Sequence, residues 1–396
     1  MSRWDLFCRV VDNYGDIGVC WRLARQLASE HHLPVRLWVD DLASFARLCP
    51  AVDPLAPVQV VESVEVCRWT DPFPAVDPHA ESAAVVIEAF ACELPATYIA
   101  ALARSTPRPV WINLEYLSAE EWVEGCHLGR SPQPDSGLVK TFFFPGFTTR
   151  TGGLLKERDL LERRARFNDR AEEAFRSRLG VPLRADGRIT VSLFCYENPR
   201  LRHWLDVWRE SATPIQVFVS PGWGQAEVGR WLGEPFLEGT CVQRGQVSLH
   251  ALPFLPQSEY DPLLWSCDLN FVRGEDSFVR AQWAERPFVW QAYPQADAAH
   301  VVKLQAFLDR YLAGDGAHER TEALETLRAA WRDWNGLEPA RLLRTTWGEL
   351  VRSHRELAKR GKEWAARLDQ AGDLANNLVR FVGEQGGLFP QPRQGG

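Results

Sequence analysis

The sequence predicts an α/β protein made of two Rossmann-like domains followed by C-terminal helices. Three observations carry that reading. The chain has 396 residues, too many for one comfortable core and suited to two domains. Short apolar runs alternate with helical patterns, which implies βαβ units and mostly parallel sheets. The alternation breaks around Gly146–Gly153, in a Gly- and Thr-rich stretch, and then starts again.

In the first half, Trp4–Val11 reads as a strand, Ile17–Ser29 as a helix and Pro34–Val39 as a strand. Val58–Val61, Ala84–Ala89 and Val110–Leu114 are further strands, with Pro95–Ala103 a helix. Lys156–Leu179 is strongly charged and helical, and suits an excursion between domains. The second alternation has strands at Arg188–Tyr196, Pro214–Val219, Val247–Leu255, Asp268–Val272 and Pro287–Ala292. From Ala298 the chain reads as helix, interrupted around Asn335-Gly336. The expected domains are therefore 1–155, a helical interdomain segment 156–180, and 181–386 including the terminal helices. The Pro-, Gln- and Gly-rich tail 387–396 is expected to be disordered.

Composition excludes several classes. Hydrophobic residues are 45% and charged residues 24%, the balance of a soluble globular chain. No apolar run approaches the ~20 residues of a membrane helix. The N-terminus enters a strand directly, so no signal peptide and no membrane are expected, and the cytoplasm is the expected location. Nine scattered cysteines lack a CxxC pair, and nine dispersed histidines offer no ligand set, so no metal is expected. Cys8, Cys20 and Cys195 sit in apolar runs, where cysteine is a small buried hydrophobe. A formal charge of −7 without a basic stretch argues against nucleic acid and is compatible with a basic protein partner. Most of the 17 tryptophans are expected in the core.

Two segments carry chemistry. The loop Asp12-Asn13-Tyr14-Gly15-Asp16-Ile17-Gly18 follows the first strand, where a Rossmann domain would cradle a diphosphate. It is not G-x-G-x-x-G, and it places two carboxylates where the anion would sit. At ~4 Å, like charges repel by about 4 kcal/mol even at a surface-like dielectric. This half is therefore expected to hold a cation instead. Paired carboxylates can grip a guanidinium, and one can take its proton. The competing reading is that Asp16 caps the helix and Asp12 makes a turn.

In the second half, Phe194 and Tyr196 end one strand, and Phe254 and Gln257 end another with Tyr260 close behind. Strand-end aromatics can sandwich a planar base, while Gln257 bonds its edge or a phosphate oxygen; ordinary core packing is the alternative. Downstream, Arg273-Gly274-Glu275-Asp276-Ser277 forms a strand end, a tight turn and a helix start. The helix N–H groups with the Ser277 hydroxyl make a natural diphosphate cradle, and Arg273 can neutralise its charge. Glu275 has three open roles: bonding sugar hydroxyls, pinning Arg273, or holding a cationic acceptor. The competing reading is a capping cluster.

Asp12–Gly18 with Cys20-Trp21-Arg22-Leu23-Ala24 resembles the opening of the elongation factor P arginine rhamnosyltransferases. So do Arg273–Trp283, Trp111–Ser118, Glu88–Pro95, and Tyr293-Pro294-Gln295 with His300 and Lys303-Leu304. The resemblance runs to about residue 312. It implies the GT-B glycosyltransferase architecture, two Rossmann-like domains facing a cleft, which epimerases and binding proteins also share in outline. It further implies an inverting, metal-independent enzyme that moves L-rhamnose from dTDP-β-L-rhamnose to an arginine of translation elongation factor P. The first domain would receive that protein and the second the donor. Carried over by motif, Asp12 and Asp16 fall on the acceptor-binding and catalytic carboxylates, and Glu275 on a third essential acid. Asn13, Tyr14 and Gly15 join the acceptor side of this expectation. Phe194, Tyr196, Phe254, Gln257, Tyr260, Arg273, Asp276 and Ser277 join the donor side. Two other functions compete: a related sugar-nucleotide transferase with a small-molecule or lipid acceptor, and a non-catalytic nucleotide-binding protein.

Overall fold

Two sheets with parallel centres organise the chain in a computed structural model that describes residues 3–12, 14–74, 83–294, 298–313, 321–337 and 342–385. Two compact units result: residues up to Arg158 together with those from Leu368 onward, and Asp159–Arg367.

The first unit runs β1 (Trp4–Cys8), α1 (Gly15–Glu30), β2 (Val35–Val39), α2 (Leu42–Leu48), β3 (Val58–Val61) and β4 (Val64–Arg68). It continues with β5 (Val85–Ala89), α3 (Ala96–Arg104), β6 (Val110–Leu114), α4 (Trp122–Cys126), β7 (Arg130–Gln133) and β8 (Leu138–Phe143). The eight strands lie in the order β3-β4-β2-β1-β5-β6-β8-β7. Only the edge pairs β3–β4 and β7–β8 are antiparallel. Every residue of β1 and β5 is buried, as parallel strands covered on both faces require. Asp5 is tolerated inside β1 because the Arg3 and Arg36 guanidinium groups and the Tyr98 hydroxyl donate to it. The sequence reading left out β4, β7 and β8. β3 and β4 form a hairpin whose turn residues Glu62 and Ser63 both have positive φ, without the glycine that usually signals such a turn.

The second unit begins with α5 (Leu160–Arg166) and α6 (Asp169–Arg178), then β9 (Ile189–Leu193), α7 (Leu201–Arg209), β10 (Ile215–Val219) and α8 (Trp223–Leu232). Next come β11 (Cys241–Arg244), β12 (Val247–Ala251), α9 (Gln257–Trp265), β13 (Leu269–Arg273), α10 (Asp276–Trp283) and β14 (Phe288–Gln291). Helices α11 (Ala299–Leu312), α12 (Glu322–Trp334) and α13 (Leu343–Gln370) follow, and α14 (Leu374–Gln385) closes the described chain. The sheet order is β11-β12-β10-β9-β13-β14, antiparallel only at β11–β12. Trp204, Trp208, Trp334 and Trp347 pack edge-on around Phe271 and one another, so these tryptophans are core as expected.

Two expected boundaries change. Segment 156–180 is divided between the units: residues 156–158 stay with the first, while buried Arg176 of α6 donates to Glu172 at 2.7 Å, Gln216 at 2.9 Å and the Ser266 carbonyl at 2.8 Å, which ties that helix into the second. The terminal helices do not all belong to that unit. Leu374, Ala375, Leu378, Phe381 and Val382 of α14 join the core of β1 and α1, and Gln26 donates to Asp373 at 3.0 Å. An amphipathic helix buries its face wherever an apolar surface is unfilled, and helical periodicity does not name that surface. Asn13, Gln295 and the tail 387–396 lie outside the described residues.

Each sheet has one topological switch point. From β1 the chain builds outward through β2 and β4, then crosses to β5 on the other side of β1. From β9 it builds through β10 and β12, then crosses to β13. Ligands of open α/β sheets bind beyond the carboxyl ends at such points.

Candidate active site

At the first switch point, Asp12 and Asp16 follow β1, Phe90 follows β5, and Tyr116 follows β6. Asp16 is the second residue of α1, and its side chain does not cap that helix. It turns back instead: Oδ2 accepts the N–H groups of Val11 and Asp12, each at 2.8 Å. Oδ1 accepts the Tyr116 hydroxyl at 3.3 Å. Asp16 is only 3% exposed, and burial holds its carboxyl above the ordinary carboxylate range. The Asp12 charge adds to the rise, while the two N–H groups and the Tyr116 hydroxyl oppose it. A carboxylate with a raised affinity for protons is suited to general-base work.

Asp12 does form a turn, because its carbonyl accepts the Gly15 N–H at 2.7 Å. A Cβ on Gly15 would stand 2.8 Å from Asp12 Oδ2, so the carboxylate rests where only glycine leaves room. Tyr14 is half-buried, with the Arg47 guanidinium 5.9 Å from its ring centroid. The Tyr116 ring stacks on Phe90, with centroids 4.4 Å apart and planes at 17°. Sequence reasoning gave Phe90 and Tyr116 no role, although both stand in motifs that it singled out. The signal was their place just after parallel strands, and it needs the strand order to be used.

The second switch point gathers the other set. Phe194 and Tyr196 follow β9, and Arg273 ends β13. The Arg273 guanidinium lies 4.4 Å from the Phe194 centroid and 4.3 Å from that of Tyr196. The two rings therefore hold the arginine as well as offering aromatic faces. Tyr260 meets Phe194 edge-on at 6.1 Å. Gln257 opens α9 and donates to Asp276 Oδ2 at 3.1 Å, which links the starts of α9 and α10. Phe254 is half-buried in the segment between β12 and α9.

Gly274 has φ +63, the tight turn that its residue type allowed. The Ser277 hydroxyl donates to the Arg273 carbonyl and accepts the Arg273 N–H at 3.3 Å, so it closes this turn. Glu275 is the N-cap residue of α10 and its side chain makes no capping hydrogen bond, although its charge stands at the favourable, positive end of the helix dipole. Two residues of β14 support the set and were missed. Trp290 Nε1 donates to the Gly274 carbonyl at 2.8 Å, and Gln291 Oε1 accepts the Tyr196 N–H at 2.9 Å. Aromatic faces, a side-chain amide, an arginine and a helix N-terminus together suit a nucleoside diphosphate. Cys8, Cys20 and Cys195 are buried, and burial pushes the Cys195 thiol up to about 12, so none is set up as a nucleophile.

Comparison with known proteins agrees with this chemistry. Residues 4–383 match the family described as Elongation-Factor P (EF-P) rhamnosyltransferase EarP. A protein-arginine rhamnosyltransferase of Pseudomonas putida is 49% identical over 387 residues, covering 96% of this chain and 98% of that protein. One of Pseudomonas aeruginosa is 48% identical over 391 residues, covering 97% and 100%. A solved structure on EarP-mediated arginine glycosylation of translation elongation factor EF-P aligns with a TM-score of 0.66 at 36% identity. That alignment covers 97% of this chain and 99% of the other. At 13% identity and a TM-score of 0.51, the glycotransferase of kitacinnamycin shares the fold over 96% of this chain and 98% of its own. The fold is GT-B, as the sequence predicted.

Proposed function

This chain belongs to the elongation factor P rhamnosyltransferase family, and from that premise we propose how its own residues perform arginine glycosylation. The enzyme is a protein-arginine rhamnosyltransferase whose acceptor is translation elongation factor P and whose donor is a nucleotide sugar. In our reading the donor is dTDP-β-L-rhamnose, the product is inverted, and no metal ion takes part. The observation that carries the assignment of roles is Asp16. It is a buried carboxylate with one oxygen engaged by two backbone N–H groups and the other turned to a phenol.

An arginine guanidinium is delocalised, and its pKa exceeds ~12, so it is a poor nucleophile. Asp12 and Asp16 supply two negative charges to orient it. As a guanidinium nitrogen bonds to the anomeric carbon, Asp16 Oδ1 takes its proton. The bond from that carbon to the diphosphate oxygen breaks, and the electron pair leaves with dTDP. Attack opposite the leaving group turns a β-linked donor into an α-linked product. Arg273 and the start of α10 stabilise the charge of the departing diphosphate. Phe194, Tyr196 and Phe254 bind the base, and Gln257 and Asp276 bind at the donor's polar edge. Ser277 shapes the turn, with Tyr260 packed beside it. Glu275, on the same turn, is assigned to the sugar hydroxyls. Asn13, Tyr14 and Gly15 complete the acceptor side of the proposal.

No helix among the described residues is long and apolar enough to cross a membrane. A translation factor as acceptor places the reaction in the cytoplasm in this reading. The test is to incubate the chain with dTDP-β-L-rhamnose and elongation factor P, with a chelator present, and weigh the intact acceptor. A gain of one deoxyhexose on a single arginine is expected. Donor binding without any gain would move the search to the rival small-molecule or lipid acceptors.

A further inference from the structure

The geometry points to Tyr116 as a positioning residue for the proton transfer: its hydroxyl fixes the Asp16 carboxylate so that Oδ1 is the oxygen that receives the acceptor's proton. The inference rests on the proposed role of Asp16 as base. Oδ2 is occupied by the N–H groups of Val11 and Asp12, each at 2.8 Å, so its lone pairs are already committed. Oδ1, among the described residues, takes one bond, from the Tyr116 hydroxyl at 3.3 Å. It therefore keeps a lone pair for a proton. The phenol gives the carboxyl a third point of attachment, on the oxygen that the two N–H groups leave open, and so narrows further a χ2 torsion that is otherwise broad.

The phenol is itself held. Phe90 covers one face at 4.4 Å with planes at 17°, while the ring keeps 40% exposure. Phe90 and Ala91 have φ of +56° and +50°, left-handed conformations that cost non-glycine residues energy and persist only where the surroundings demand them. The turn is pinned by the Phe90 N–H donating to the Leu114 carbonyl at 2.7 Å, and by the Glu93 N–H donating to Glu88 Oε1 at 3.1 Å. The strained turn after β5 thus props a ring that follows β6, and that ring reaches an acid 100 residues earlier in the chain.

Among the described residues, the titratable groups that act on or are acted on by Asp16 include Asp12 of the same loop, the Cys8 thiol at the end of β1, and the Tyr116 phenol. Asp12 and burial favour the protonated acid, whereas the phenol favours the carboxylate. Loss of the hydroxyl thus leaves less base at low pH, and the deficit closes as pH rises.

The experiment compares pH profiles of kcat/KM for the wild type and Tyr116→Phe, with elongation factor P as acceptor and product read by intact mass. On the acid limb the variant is expected to fall about tenfold, the usual effect of removing a hydrogen bond to a charged group. The loss should shrink at high pH, and KM for the acceptor should stay within about twofold of wild type. The exposed ring is retained, so the melting temperature should hold. A loss of equal size at every pH, or no loss, overturns the inference while leaving the function intact. A wild type that does not modify the acceptor overturns the proposed function first, and this inference with it.

Discussion

Replacing Asp16 by asparagine separates catalysis from folding at one position. The amide oxygen can take the place of Oδ2 and accept the Val11 and Asp12 N–H groups, so the loop keeps the bonds it makes at 2.8 Å. The amide nitrogen then stands where Oδ1 was and cannot accept a proton. General-base catalysis is worth roughly 10²–10⁴ in rate, or about 2.7–5.4 kcal/mol of barrier. Stability should move little, or in the other direction. Burial raises the folded pKa of Asp16 above its unfolded value, so its favourable contribution is present below the ordinary carboxylate range and lost as pH rises through the folded pKa. At neutral pH the ionised group is therefore a net cost, and a neutral amide removes it. The expected result for Asp16→Asn is a 10²–10⁴-fold fall in kcat with donor affinity unchanged and a melting temperature equal to or above wild type. The assay is single-turnover transfer followed by intact acceptor mass, with calorimetry for the donor. Turnover within about tenfold of wild type would refute Asp16 as the base, whatever happened to the melting temperature.

Three further variants probe the rest. Gly15→Ala puts a methyl group 2.8 Å from Asp12 Oδ2, at the end of a movable side chain. Turnover should fall by about 10–100-fold through displacement of that carboxylate, with a stability change under about 1 kcal/mol in urea titration. Arg273→Lys keeps the charge but loses the flat guanidinium that meets Phe194 and Tyr196 at 4.4 and 4.3 Å. Donor affinity by calorimetry should weaken about tenfold while binding of elongation factor P holds; equal weakening of both would contradict the assignment to the donor. Asp261→Ala strips the buried Arg280 guanidinium of a carboxylate that it contacts at 2.7 and 2.5 Å. Chemical unfolding should show a loss of about 3–5 kcal/mol, and a loss below about 1 kcal/mol would mean that the pair is not structural.

Much of this protein was legible before any coordinates. The alternation of strand and helix signals fixes two α/β halves because periodicities of 2.0 and 3.6 residues are written in local sequence. The acids at Asp12 and Asp16 and the turn at Gly274 were equally local: residue type and position after a strand were enough to nominate them. Strand order is not local. Only the tertiary structure put β5 and β6 on one side of β1, and with them Tyr116 beside Asp16 and Phe90 against Tyr116. It also decided that Arg273 meets both strand-end aromatics, and that α14 fills the core of the first unit rather than the second. The sequence determined which chemistry each half could carry, since charge, aromaticity and backbone freedom belong to the residues themselves. Which of those groups touch depended on long-range packing, where residues 100 apart in the chain become neighbours through sheet topology alone.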